Sequence, residues 1–145
     1  MYTAERSVII QRPLDDVFAA VSDITRMGEW SPECTGGEWV AGAEPGLGAE
    51  FLGHNKAAGK RWTTTSEVTG YEPGAVFEFT AEGHTVWRYE FESVDGGTRL
   101  TESYVYPPFG GARGFLYDTI LRRPAAMAKG MQRTLDRIKE RLEAS

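Results

Sequence analysis

Few residues in this chain have the types and spacing for chemistry. One carboxylate, Glu102, falls on the apolar side of a strand-like run, in alternation with Leu100, Tyr104 and Tyr106. A carboxyl removed from water has a raised pKa and can trade a proton near neutrality. With Tyr89 or Tyr104 to orient a substrate oxygen, Glu102 is the candidate acid–base group. The same position also fits a glutamate at a strand end that reaches water or pairs with an arginine. The remaining candidates are scattered. Cys34 is the single cysteine, and the two histidines, His54 and His84, lie far from it in sequence. Such a set forms no recognisable zinc constellation and no Cys–His nucleophile pair. Alternation puts His54 opposite Phe51 and so towards solvent, and His84 sits in a hairpin, again towards solvent. Cys34, near Trp30, fits either a small buried hydrophobe or a group lining a cavity mouth. Gly36-Gly37 and Gly110-Gly111 read as turns rather than phosphate loops. No cofactor and no metal is expected.

These groups must be held by strands. Runs at Glu5–Gln11, Gly37–Val40, Ala49–Asn55, Arg61–Tyr71, Ala75–Ala81, Thr85–Val94 and Thr98–Tyr106 carry strand-type residues, separated by Gly-containing turns. Short hairpins between consecutive strands give an antiparallel meander. Period-2 alternation assigns the inward side chains. Trp87, Tyr89 and Phe91 share a face, as do Phe77 and Phe79. Trp62, Thr64, Ser66 and Val68 form a third set, and Phe51 shares its side with Gly53. Large aromatics mixed with buried hydroxyls suit a ligand cavity with apolar walls and a few polar groups. Aromatics alone also suit an ordinary core.

Helices complete the pattern. Leu14, Val17, Phe18 and Val21 recur at helical spacing behind Pro13, and Ser22 or Asp23 is placed to cap a short second helix ending near Gly28. A helical stretch is expected from about Ala112 to Leu121, with a kink or fresh start at Pro124. Met127, Met131, Leu135, Ile138 and Leu142 then form one apolar stripe. Met127 and Met131 on this stripe fit either gap-fillers of a core or ligand contacts. A helix packed on one face of an antiparallel sheet is an α+β architecture, here in a single domain over residues 1–145.

Composition narrows the function classes. A 41% hydrophobic, 26% charged chain is globular, and a net charge of −5 without a basic cluster argues against nucleic acid or an anionic lipid surface as partner. Arg122-Arg123 is too short a run to change this. No secretory leader and no run approaching the roughly 20 apolar residues of a membrane span is seen. A cytoplasmic protein, monomeric or homodimeric, is the expectation.

The order of motifs resembles the START-like (SRPBCC) superfamily, in particular its bacterial polyketide cyclase/dehydrase branch. The residues that carry the likeness are Ser7 to Phe18, Asp23 to Pro32 with its Trp30, Trp62 to Val68 followed by Tyr71-Glu72-Pro73-Gly74, and Gly96 to Glu102. The resemblance implies a helix-grip fold, in which about seven strands curl around the C-terminal helix and leave a cavity. It implies a lipid-, polyketide- or isoprenoid-like ligand, touching Trp30, Phe51, Trp62, Thr64, Phe77 and Phe79 on one side. Trp87, Tyr89, Glu102, Tyr104, Met127 and Met131 would supply the rest. It does not imply one reaction, since members include cyclases, carriers, sensors and cochaperones. Three functions are therefore weighed: apolar-ligand binding, cyclase or dehydratase chemistry at Glu102, and partner binding of the cochaperone type. In this last case the interior would be filled. The Pro107–Phe115 segment suits a lid with glycine hinges or a dimer contact.

Overall fold

A computed structural model describes residues 1–116 and 123–145. Strand β1 (Tyr2–Ile10) leads into helix α1 (Leu14–Val21) and a 3₁₀ helix (Ile24–Glu29). Six more strands follow: β2 (Cys34–Trp39), β3 (Glu50–Ala57), β4 (Lys60–Glu72), β5 (Val76–Ala81), β6 (Thr85–Val94) and β7 (Gly97–Tyr106). The chain ends with a short helix α2 (Gly111–Gly114) and the long helix α3 (Arg123–Ala144). The expected helix from Ala112 thus begins as α2, and its part from Tyr117 to Leu121 lies outside the described residues.

All seven strands form one antiparallel sheet in the order β1-β7-β6-β5-β4-β3-β2. Five of its six neighbouring pairs are the consecutive meander, and β1 closes onto β7 from Tyr2↔Tyr106 to Ile10↔Thr98. The turn between β3 and β4 has two residues, Ala58 and Gly59, both at positive φ (50° and 77°). Such a turn matches the right-handed twist of the flanking strands. The sheet curls partly because β4, the longest strand, carries a bulge between Val68 and Gly70. A second irregularity, between Cys34 and Gly36, starts β2 three residues earlier than alternation alone suggests.

Helix α1 uses its predicted face: Val17, Phe18 and Val21 are buried. The 3₁₀ helix is capped by Asp23, whose Oδ1 accepts from the Thr25 amide at 3.1 Å. Helix α3 packs on β1 and β7 through Met131, Leu135, Ile138 and Leu142. Its C-terminal end is tied to β1 and the following turn. The Arg12 guanidinium donates to the carbonyls of Leu142 (2.8 Å) and Ser145 (3.0 Å), and Lys139 Nζ donates to the Ile9 carbonyl. The Gln11 amide donates to Glu143 Oε2 at 2.8 Å. An arginine on the last carbonyls satisfies acceptors that a helix end leaves open.

Candidate ligand-binding site

A cavity of about 1060 Å³ lies between the concave face of the sheet and the first half of α3. The strand pleat explains its walls, because residues two apart on one strand face the same side. Phe51 on β3, Phe79 on β5 and Trp87 on β6 form the apolar wall, with Met127 and Met131 opposite on α3 and Trp30 closing one flank. Thr64 and Ser66 on β4 add hydroxyls, and Trp62, 37% exposed, stands towards the opening. Tyr89 and Glu102 are cross-strand partners on β6 and β7, both deeply buried and both facing the cavity.

Two of the residues named from the sequence do not line this space. Phe77 is buried in the solid part of the interior, against Tyr71 and Phe79. Tyr104 is also buried, but its ring packs on Trp87 (5.5 Å between centroids) and borders a shallow outer hollow with Tyr2 and Arg6. It is not positioned to share a substrate with Glu102.

Glu102 is 3% exposed, and its Oε1 has no hydrogen-bond partner. It lies mid-strand, so the strand-end alternative fails. Arg6 faces it across the ladder but donates instead to the Glu5 carbonyl at 2.8 Å. Burial pushes the Glu102 carboxyl up to about 8, and a hydrogen bond with the Tyr89 side chain offsets only part of this. Burial, with the neighbouring Glu102, in turn raises Tyr89 well above the usual tyrosine range. At neutral pH the cavity therefore holds a neutral carboxylic acid beside a neutral phenol. Such a pair can donate a hydrogen bond to a carbonyl or accept one from a hydroxyl.

One side of the opening is closed by a contact that the hairpin position of His84 did not suggest. His84 is half-buried rather than solvent-facing. Its ring stacks on Phe109 with centroids 3.9 Å apart and meets Tyr106 edge-on at 4.7 Å. The Arg113 guanidinium lies 4.2 Å from the Phe109 ring centroid. His84 Nε2 bonds the Pro107 carbonyl, which can only accept, so Nε2 carries a proton. Nδ1 meets the Thr85 hydroxyl at 2.9 Å. The Pro107–Phe115 segment thus contributes Phe109 and Arg113 to the cavity lining, while Phe115 remains 61% exposed.

The other candidates fall as follows. His54 is on the outer face, 2.9 Å from Glu38 Oε1, away from the cavity. Cys34 is both things that its sequence position allowed: 7% exposed, and part of the cavity wall. Burial raises its pKa, so it is held as the thiol. Among the described residues no group of His, Cys, Asp and Glu could hold a metal, and no helix is long and apolar enough to cross a membrane. The sequence also hid a basic rim, because its members come from distant segments. Lys56, Arg113, Lys129 and Arg133 all border the opening.

Comparison with known proteins agrees with this geometry. A family model described as polyketide cyclase / dehydrase and lipid transport matches residues 1–143. An uncharacterized protein of Mycobacterium tuberculosis, Rv0088, is 30% identical over 139 residues, covering 93% of this chain but 62% of the relative. The chain thus spans under two thirds of the length of the curated relatives it matches. The solution structure of the Polyketide_cyc-like protein Cgl2372 of Corynebacterium glutamicum is 38% identical, with a TM-score of 0.70 over 97% of this chain and 91% of that one. An AHSA1-like protein of Aeromonas hydrophila shares the fold at 22% identity, with a TM-score of 0.71 over 98% and 92% of the two chains.

Proposed function

The chain belongs to the polyketide cyclase / dehydrase and lipid transport family, and on that premise we propose that it binds one small apolar or amphipathic molecule between the sheet and α3. The cavity itself carries this reading. Its volume of about 1060 Å³ is at the upper end of the range for small-molecule sites, and aromatic and thioether side chains share its walls with hydroxyls and charged groups, as an amphipathic ligand would need. Interiors normally close-pack, so a space this large is a feature rather than a packing defect. The unpartnered Glu102 Oε1 is a second sign, since a buried polar atom left without a partner is costly. A ligand hydroxyl or carbonyl beside it would remove that cost. The partner-binding alternative expected a filled interior and gains no support from this cavity.

The test is native mass spectrometry with a panel of apolar molecules, on the wild type and on Ser66→Trp. Ser66 is 3% exposed and faces the cavity, so an indole there fills the space from the sheet side. Wild type should carry one ligand per chain, and the variant, with its fold checked by circular dichroism, should carry none. A wild type that retains nothing from the panel, or a variant that binds as well, would sink the proposal.

A second reading rests on Glu102 alone. A neutral acid with a pKa of about 8 would protonate a ligand carbonyl oxygen and recover the proton from the adjacent carbon, giving the enol. Holding a flexible substrate folded would supply much of the remaining rate. On this reading Glu102→Gln keeps ligand affinity and loses turnover. A variant with full turnover would leave binding as the only role.

A further inference from the structure

We propose that the ligand carries an anionic group that stays at the mouth, held by Lys56, Lys129 and Arg133, while its apolar body fills the cavity. The proposal rests on the ligand-binding reading above and names the chemistry of the ligand's outer end.

Three observations point this way. The first is convergence. Lys129 and Arg133 are one turn apart on the same face of α3, and both border the opening. Lys56 arrives from β3: its amide donates to the Glu33 carbonyl at 2.8 Å, and Pro32, next to Glu33, packs beside Gly130 of α3. The second observation concerns charge. Elsewhere Arg12, Arg26, Arg88, Arg99 and Lys139 each meet a carboxylate, while Arg6 and Arg137 donate to backbone carbonyls instead. Lys56, Lys129 and Arg133 make no ion pair among the described residues. Of the carboxylates sharing the rim, Glu82 accepts from the Thr65 amide at 2.7 Å, and Glu33 already engages another group. In a chain of net charge −5, three cations at one opening that meet no carboxylate among the described residues favour an anion there, since they outnumber Glu33 and Glu82 beside them.

The third observation is the polarity of the interior. The deep end presents Glu102, Tyr89 and the Ser66 hydroxyl, with no cation. An anion placed there would lose its water with no cation beside it to offset the cost. A molecule with one anionic end and one neutral oxygen therefore has a single favourable orientation, charge outward and hydroxyl or carbonyl inward. Long-chain carboxylates and phosphate monoesters share this chemistry.

Four probes with one chain length separate the possibilities: dodecanoate, dodecyl phosphate, dodecanol and dodecyltrimethylammonium, measured by displacement of Nile red. At low salt the two anions should bind about tenfold more tightly than dodecanol, the scale expected of a few exposed charge contacts. The cation should bind more weakly than dodecanol. In Lys129→Ala/Arg133→Ala the anion advantage should vanish while dodecanol affinity holds. Whichever anion gains more tells a carboxylate ligand from a phosphate one. Equal binding of dodecanoate and dodecanol, or an anion preference that survives in the double variant, would overturn the proposal and leave the ligand-binding reading intact. If no probe displaces the dye, dodecanol included, both fall together. If the double variant keeps its probe affinities but no longer sediments with phosphatidylglycerol vesicles, the cations serve a membrane surface and the proposal is wrong.

Discussion

From Leu135 to Leu142 the inward face of α3 is solid, with Leu135, Ile138 and Leu142 between 0% and 6% exposed. About two turns earlier, Met127 is only half-buried and faces the cavity, as do Trp62 and Trp87. The same helix on the same sheet thus closes one half of the grip and leaves the other open. The cause is α1. It packs on β6 and β7, and its Val17, Phe18 and Val21 fill the space beneath the C-terminal half of α3 together with Ile10, Phe91 and Leu100. No helix plays that part at the other end among the described residues. An architecture can therefore be rigid and hollow at once, provided that the plug reaches only halfway.

The largest test of this division is pH. Glu102, in the hollow half, rises from an ordinary 4.5 to about 8 on folding. Between those values the native state holds a proton that the unfolded chain has released, so stability falls as pH rises from about 5 to 8 and levels off above. The loss should be on the order of 4 kcal/mol. Urea titrations of wild type and Glu102→Gln across this range check it. The variant should lack that decline, and two parallel curves would show that the carboxyl is not where the pH sensitivity lies.

Core truncation sharpens the same contrast. Ile138→Ala removes a fully buried side chain and should cost about 3 kcal/mol. Met127→Ala, at the cavity, should cost under about 1 kcal/mol, because its environment is already open. Equal costs in chemical denaturation would mean that both halves are packed alike. The smallest effect concerns Cys34. Its buried, protonated thiol should react with iodoacetamide at least about tenfold more slowly in the native protein than in urea, and more slowly again with the cavity occupied. A ligand that leaves the rate unchanged would place the occupied space elsewhere.

The strands were legible because alternation and turn residues are local signals. Thr85–Val94 and Leu14–Val21 were placed from such signals alone. The polar start of β1 was not, since Tyr2, Thr3 and Ala4 become strand only by pairing with Tyr106, Val105 and Tyr104. Glu102 was legible from its phase with Leu100. Phe77 and Tyr104 show the limit of that phase: alternation says which face a side chain takes, not how far along the strand the open space extends. His84 and the rim cations failed for another reason. Their surroundings come from Phe109, or from one another, across long stretches of chain, and no pattern in a short window carries that information.

The ties from Arg12 and Gln11 to the last turn of α3, and from Lys139 of α3 back to Ile9, have a mechanical consequence. They clamp a rod about 33 Å long at one end. Any tilt of such a cantilever turns about the clamp, so displacement grows with distance from it. A rotation of about 5° moves Leu135 by about 1 Å and Met127, roughly 22 Å from Leu142, by about 2 Å. On the ligand-binding reading, guests of different girth would be accommodated by leverage, with compliance greatest at the mouth and vanishing at the clamp.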